Sequence, residues 1–145
     1  MQNVDNYFEQ AGAGTDNKLV VGGSFETAAA QSLKKVFLSV DMTDISTAST
    51  VYLPSLVAGT ITSIKIVVNG AITVADAVIT SSISSVGITN GVVTIDQATA
   101  VAGSVFSATP TAINDVTVGD NISFATNGGS TDAVRATIVV EISLS

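Results

Sequence analysis

From Lys35 to the C-terminus, run after run sets apolar residues at every second position. That period admits little except β-structure, because successive side chains of a strand point to opposite faces. In KVFLSVDM (35–42), Val36, Leu38, Val40 and Met42 face one way and Lys35, Phe37, Ser39 and Asp41 the other. STVYLPSL (49–56) is a shorter strand that Pro54 ends or marks as an edge. TITSIKIVV (60–68) places Ile64, Ile66 and Val68 on one face with Lys65 opposite. Asn69-Gly70 then supplies a two-residue hairpin turn, since both residues tolerate positive φ. AVITSSI (77–83) is a further strand, and GITNGVVTI (87–95) holds a second Asn-Gly turn at Asn90-Gly91. DVTVGDNISF (115–124) aligns Val116, Val118, Ile122 and Phe124, with Gly119-Asp120 as a turn or bulge. NGGSTD (127–132) is a loop. In AVRATIVVEISL (133–144), Ala136, Ile138, Val140, Ile142 and Leu144 point inward, and Arg135, Thr137, Glu141 and Ser143 outward.

Roughly eight strands at spacings of about 8–12 residues predict an all-β, antiparallel β-sandwich, a jelly roll or a related Greek key. NGAITVADA (69–77) and NGVVTIDQA (90–98) look alike. They read either as a repeated hairpin unit or as two independent Asn-Gly turns.

Composition narrows the function. Only 12 % of the 145 residues are charged, against 46 % hydrophobic, which is about half the usual charged share. A surface so poor in charge and rich in β-branched residues suits packing against copies of itself. Twelve acids against five bases give a net charge of −7. Lys34-Lys35 is the only adjacent basic pair, so neither nucleic acid nor an anionic membrane is an expected partner. With no Cys and no His, disulfides, thiolate chemistry and His-based triads are excluded. No secretory signal opens the chain and no apolar run is long enough to span a bilayer. The expected product is soluble and made in the host cytoplasm.

Candidate chemistry is sparse. Asp115, Asp120 and Asp132, beside Asn114, Asn121 and Asn127, could bind calcium through oxygen ligands. Asp and Asn next to Gly are also what β-turns require. A paired-carboxylate glycosidase lacks aromatic platforms, because Trp is absent and Phe37, Tyr52, Phe106 and Phe124 are assigned to the core. AGAG (11–14) and VVGG (20–23) do not match a phosphate-binding loop. No enzymatic activity, metal or cofactor is expected. Lys34-Lys35 reads as a contact for an acidic partner or a solvated strand end. Lys65 and Arg135 read as edge or surface charges.

The first 26 residues differ from the rest, with four acids, one Lys and four Gly. The chain accordingly divides into an N-terminal arm (1–32) and a β-sandwich domain (33–145). SFETAAAQSLKK (24–35) forms either a short helical turn capped by Ser24 or Thr27, or an irregular link. Tyr7 and Phe8 are two of only seven aromatics, yet they lie in a polar leader. Leu19-Val20-Val21 is a second apolar anchor, and the glycines permit close approach to another surface. The anchors either fold back on the domain or a neighbouring subunit, or attach the chain to a partner, with Leu19–Val21 suited to strand addition.

Asn6-Tyr7-Phe8-Glu9-Gln10, then Gly12, then Val20-Val21-Gly22-Gly23 and Phe25-Glu26, resembles the N-terminal segment of tailed-bacteriophage head fibre and capsid decoration (cement) proteins. The resemblance covers about the first 26 residues. It implies a virion protein whose arm binds the major capsid protein through Asn6, Tyr7, Phe8, Glu9, Gln10, Leu19, Val20, Val21, Gly22, Gly23 and Phe25. It further implies a homo-oligomer, a trimer, on the capsid exterior. Two other readings stay open. One is a carbohydrate-binding or host-adhesion module using loops such as 127–132. The other is a self-assembling surface-layer or pilus-like subunit.

Overall fold

A computed structural model of the chain describes residues 34–145. The expected arm (1–32) lies outside the described residues, as does the helical turn or link read over 24–35 up to residue 33; Lys35 already belongs to the first strand. Nine strands follow in order: β1 Lys35–Met42, β2 Ser49–Pro54, β3 Gly59–Val68, β4 Ala77–Ile83, β5 Val86–Ile95, β6 Val105–Ala108, β7 Asp115–Val116, β8 Asn121–Thr126 and β9 Ala136–Leu144. All pairings are antiparallel. One sheet has the order β1-β9-β3-β6, with β7 also on β3, and the other has the order β2-β8-β4-β5. Pairing therefore counts inward from the ends: β1 with β9, β2 with β8, β3 with β6 and β7, β4 with β5. This is one long antiparallel hairpin folded into two layers, which is a jelly roll.

The period-two rows supply the core between the layers. Ile61, Ile64, Ile66, Ile79, Ile122 and Ile138 are wholly buried, and burying each such side chain contributes about 1.5–3 kcal/mol. β9 runs down the middle of its sheet, and its inner row Ala136, Ile138, Val140 and Ile142 has no exposure. β3 keeps both Ile61 and Ile64 inward, although they differ in parity. A register shift opposite Glu141 and Ile142 inserts a residue at Thr62-Ser63 and reverses the alternation.

Four expectations need correction: one on the aromatics, two on the Asn-Gly turns and one on Val118. Only Phe124 of the four aromatics assigned to the core is fully buried; Phe106 is half-buried, while Phe37 and Tyr52 are 63 % and 60 % exposed. The pleat decides this: Phe37 lies between inward Val36 and Leu38, and Tyr52 between inward Val51 and Leu53. Asn69-Gly70 makes no hairpin, and neither residue has positive φ. The Asn69 amide donates to the Arg135 carbonyl (3.0 Å) as the chain leaves one sheet for the other. Asn90-Gly91 lies inside β5, where residues 88–91 stand opposite the single Ser81. Asn90 does adopt φ 59°, but in a wide bulge whose Thr89 exchanges backbone hydrogen bonds with Ala112 and Thr111.

The hairpin that does join β4 to β5 turns through Ser84 (φ 48°) and Ser85 (φ 76°), the two positive values of a type I′ turn. The Gly119-Asp120 turn forms as expected, with Gly119 at φ 95° and the Asp120 amide donating to the Thr117 carbonyl. It carries the chain from β7 in one sheet to β8 in the other, and leaves Val118 70 % exposed at its tip and not in the inward row. β6 had no counterpart among the expected strands.

Candidate interaction surfaces

All eleven expected capsid-contact residues, from Asn6 to Phe25, lie outside the described residues. The described domain offers two outer sheet faces, their edges and the loops.

The β1-β9-β3 face carries the domain's paired charges. Odd-numbered β1 residues and odd-numbered β9 residues point outward, so the antiparallel register brings Lys35 near Glu141 and Asp41 near Arg135 and Thr137. Lys35 Nζ is 3.3 Å from Glu141 Oε1. The β3 bulge turns Thr62 to the same face, and its hydroxyl donates to Glu141 Oε1 (2.6 Å). This hydrogen bond first, and then the Lys35 and Lys65 charges, hold the Glu141 carboxyl below its ordinary range. At the other end of β1, the Thr137 hydroxyl donates to Asp41 Oδ1 (2.7 Å) and the Arg135 guanidinium donates to Oδ2. Both donors, Thr137 foremost, hold Asp41 low. Lys35 and Arg135 are thus each paired with an acid, Glu141 and Asp41 respectively, a role that alternation alone could not disclose, because it gives a side chain's face but not its neighbour across the sheet.

The opposite face, on β2-β8-β4-β5, carries no charge among its outward side chains: Thr50 and Tyr52 on β2, Thr80 on β4, and Val92 and Thr94 on β5. Ser123 and Ala125 of β8 lie between the flanking strands. Tyr52 stands out from this neutral hydroxyl-bearing surface.

The loop and strand-end carboxylates accept hydrogen bonds from their own turns or from a neighbouring element. Asp120 accepts from the Thr117 amide and hydroxyl (2.8 and 2.9 Å) and from Ser84, and the Thr117 bonds lower its pKa most. Asp44 accepts from the Ser46 hydroxyl and amide and from Thr47, which lower its pKa likewise. Asp115 takes the Thr60 hydroxyl and Asp132 the Thr73 hydroxyl. Asn114 donates to the Ile61 carbonyl. In the 127–132 loop, Asn127 Oδ1 accepts from the Val78 and Gly129 amides. Each candidate calcium carboxylate thus has its own hydroxyl or amide donors, and among the described residues no three acidic side chains gather as a metal site.

Two shallow cavities open on the charged face. One of about 110 Å³ is lined by Val67, Val68, Asn69, Arg135 and Thr137, and one of about 40 Å³ by Phe37, Ser63, Lys65, Val139 and Glu141. Both fall below the roughly 300 Å³ at which small-molecule sites begin.

No family model matches the chain, and no curated protein matches it. Similar solved structures exist. A chain from the acidic stable capsid structure of Helicobacter pylori bacteriophage KHP30 has a TM-score of 0.51 at 13 % identity, covering 76 % of this chain and 87 % of that one. A chain from the cyanophage Pam1 capsid asymmetric unit has a TM-score of 0.42 at 19 % identity, covering 77 % and 84 %. A chain from Bacillus endospore appendages, a family of disulfide-linked pili, has a TM-score of 0.39 at 13 % identity, covering 77 % and 88 %. The described domain is thus an antiparallel β-sandwich similar in fold to a chain of a bacteriophage capsid.

Proposed function

We propose that the protein is a structural virion protein that decorates the outer surface of a bacteriophage capsid. The observation that carries this reading is the fold likeness to a phage capsid chain over 76 % of the sequence. The resemblance of Asn6–Gln10 and Val20–Gly23 to capsid-anchoring segments and the small, turn-filled or neutral surfaces of the sandwich support it. In this reading the arm (1–32) binds the major capsid protein, and Tyr7 and Phe8 fill an apolar pocket there. The sandwich projects outward, without catalysis. Many weak anchors per particle hold through avidity. Copies cluster, and the resemblance sets the number at three.

Mixing the full chain with undecorated heads tests the reading, with occupancy measured after sedimentation. Tyr7→Ala/Phe8→Ala is expected to lose most occupancy, since burying one such ring contributes about 1.5–3 kcal/mol. Occupancy at the unsubstituted level overturns the pocket. A second reading, a glycan-binding module, draws on the exposed Tyr52 among hydroxyl side chains and on the use of jelly rolls by lectins. Specific signals on a glycan array, abolished by Tyr52→Ala, would favour it.

A further inference from the structure

We infer that β1 is the contact by which two copies of this chain join, pairing antiparallel with its own counterpart about a two-fold axis at Leu38. The inference stands on the described domain alone and does not rest on capsid decoration.

β1 is the end strand of its sheet, and among the described residues nothing pairs with its far side. An open edge invites another strand, and proteins normally guard it with Pro, a bulge, brevity or a free charge. The other edges are guarded in this way. β2 ends in Pro54, β5 has the wide bulge at 88–91, and β6 is only 4 residues long. β1 has 8 residues, no Pro or Gly, and no register shift against β9. Its two charges are turned to β9, to Glu141 and Arg135. The inner row Val36, Leu38 and Val40 is only half-buried, whereas the inner row of adjacent β9 has no exposure through Ile142. On the outer face Phe37 is 63 % exposed.

The β1 sequence is self-complementary about Leu38. A two-fold antiparallel pairing there sets Lys35 opposite Asp41 of the second copy, Val36 opposite Val40, and Phe37 opposite Ser39. The inner apolar row then continues without a break across both copies. On the outer face the charges alternate along each diagonal: Glu141, Lys35, then Asp41 and Arg135 of the second copy. The two Phe37 rings become diagonal neighbours, a separation that aromatic side chains span. A shift of one residue in either direction would bring outward charges against inward apolar positions. Two copies each carrying −7 can approach here because the row supplies both signs. The contact joins copies in pairs, so a cluster of three requires a second contact of another kind.

The chain contains no Cys, so single cysteines report the register directly. In the full-length protein, Leu38→Cys is expected to cross-link to itself under mild oxidation. Val36→Cys and Val40→Cys are each expected to remain unlinked alone and to cross-link when mixed. Sedimentation of the unsubstituted chain is expected to show a pair across the micromolar range. Phe37→Glu, at an exposed position, is expected to weaken that pair by about tenfold or more, through like charges facing across the axis, while the monomer, in which residue 37 stands opposite Glu141, still unfolds cooperatively at a somewhat lower temperature. A monomer at every concentration overturns the inference. So does a larger assembly in which Leu38→Cys does not link, which would assign the β1 edge to another segment of the chain or to a different partner.

Discussion

Gly59 opens β3 where it passes the end of β9. A Cβ there would strike the Ser143 carbonyl oxygen and come within 2.9 Å of Ile142 Cγ2. Both obstacles belong to a strand paired on two sides, so neither can yield cheaply. Gly59→Ala is expected to lower stability by about 1–3 kcal/mol, read as a fall in the urea midpoint at unchanged slope. Ser81 predicts the opposite sign. Its hydroxyl is buried in the core row of β4, opposite the β5 bulge, and has no hydrogen-bond partner. An unsatisfied buried hydroxyl is costly, so Ser81→Ala is expected to raise stability by about 1 kcal/mol; a loss of stability would reveal a partner for it. Neither residue declares itself in the sequence. Gly59 is constrained by a strand more than eighty positions away, and Ser81 falls in the inward parity of AVITSSI like any apolar residue. The outward placement of Lys65, Glu141 and Arg135 was legible, because parity alone decides it.

At the scale of the element, turn chemistry misled where parity did not. Two Asn-Gly pairs marked hairpins that do not form, and the hairpin that forms uses Ser84-Ser85, which no turn rule favours. The reason is tertiary. Ile83 pairs with Val86 because β4 and β5 must each set their isoleucines inward, and the serines accept positive φ to close the gap. The Ser84 amide is satisfied by the Asn121 carbonyl (2.9 Å), whereas Ser85 at φ 76° has only the strain. Left-handed backbone costs a non-glycine residue about 1 kcal/mol, so Ser85→Gly is expected to stabilise the protein by about that amount, measured by urea unfolding. β6 escaped notice because four residues, VFSA, are too few to display a period. The β5 bulge escaped because a run of alternating residues does not show where its partner strand falls short.

For the whole molecule, the antiparallel sandwich followed from strand number and spacing, which left a jelly roll and a related Greek key both open; the pairings across the two sheets decide for the jelly roll. The expected contact residues of the arm lie outside the described residues and are tested only by the occupancy experiment. What the domain does predict is its response to acid. Asp41, Asp44, Asp120 and Glu141 all have pKa values held below their ordinary 3.8 and 4.5. A folded-state pKa that is depressed means the unfolded chain binds more protons as pH falls. The stabilisation from these groups is therefore complete above the ordinary carboxylate values and is lost as pH drops through the depressed ones. Urea midpoints are expected to be flat from pH 7 to about 5 and to fall steadily below about 4.5. Salt separates the contributions. The exposed Lys35–Glu141 and Arg135–Asp41 pairs weaken by screening, while the Asp44 and Asp120 bonds to their own turns do not depend on a distant charge. Asp120→Asn keeps the shape of the turn but removes the titrating group, and is expected to flatten the acid limb. An acid limb unchanged by Asp120→Asn would mean that the Asp120 carboxylate contributes nothing to the pH dependence, leaving it to Asp44 and the β1–β9 charges.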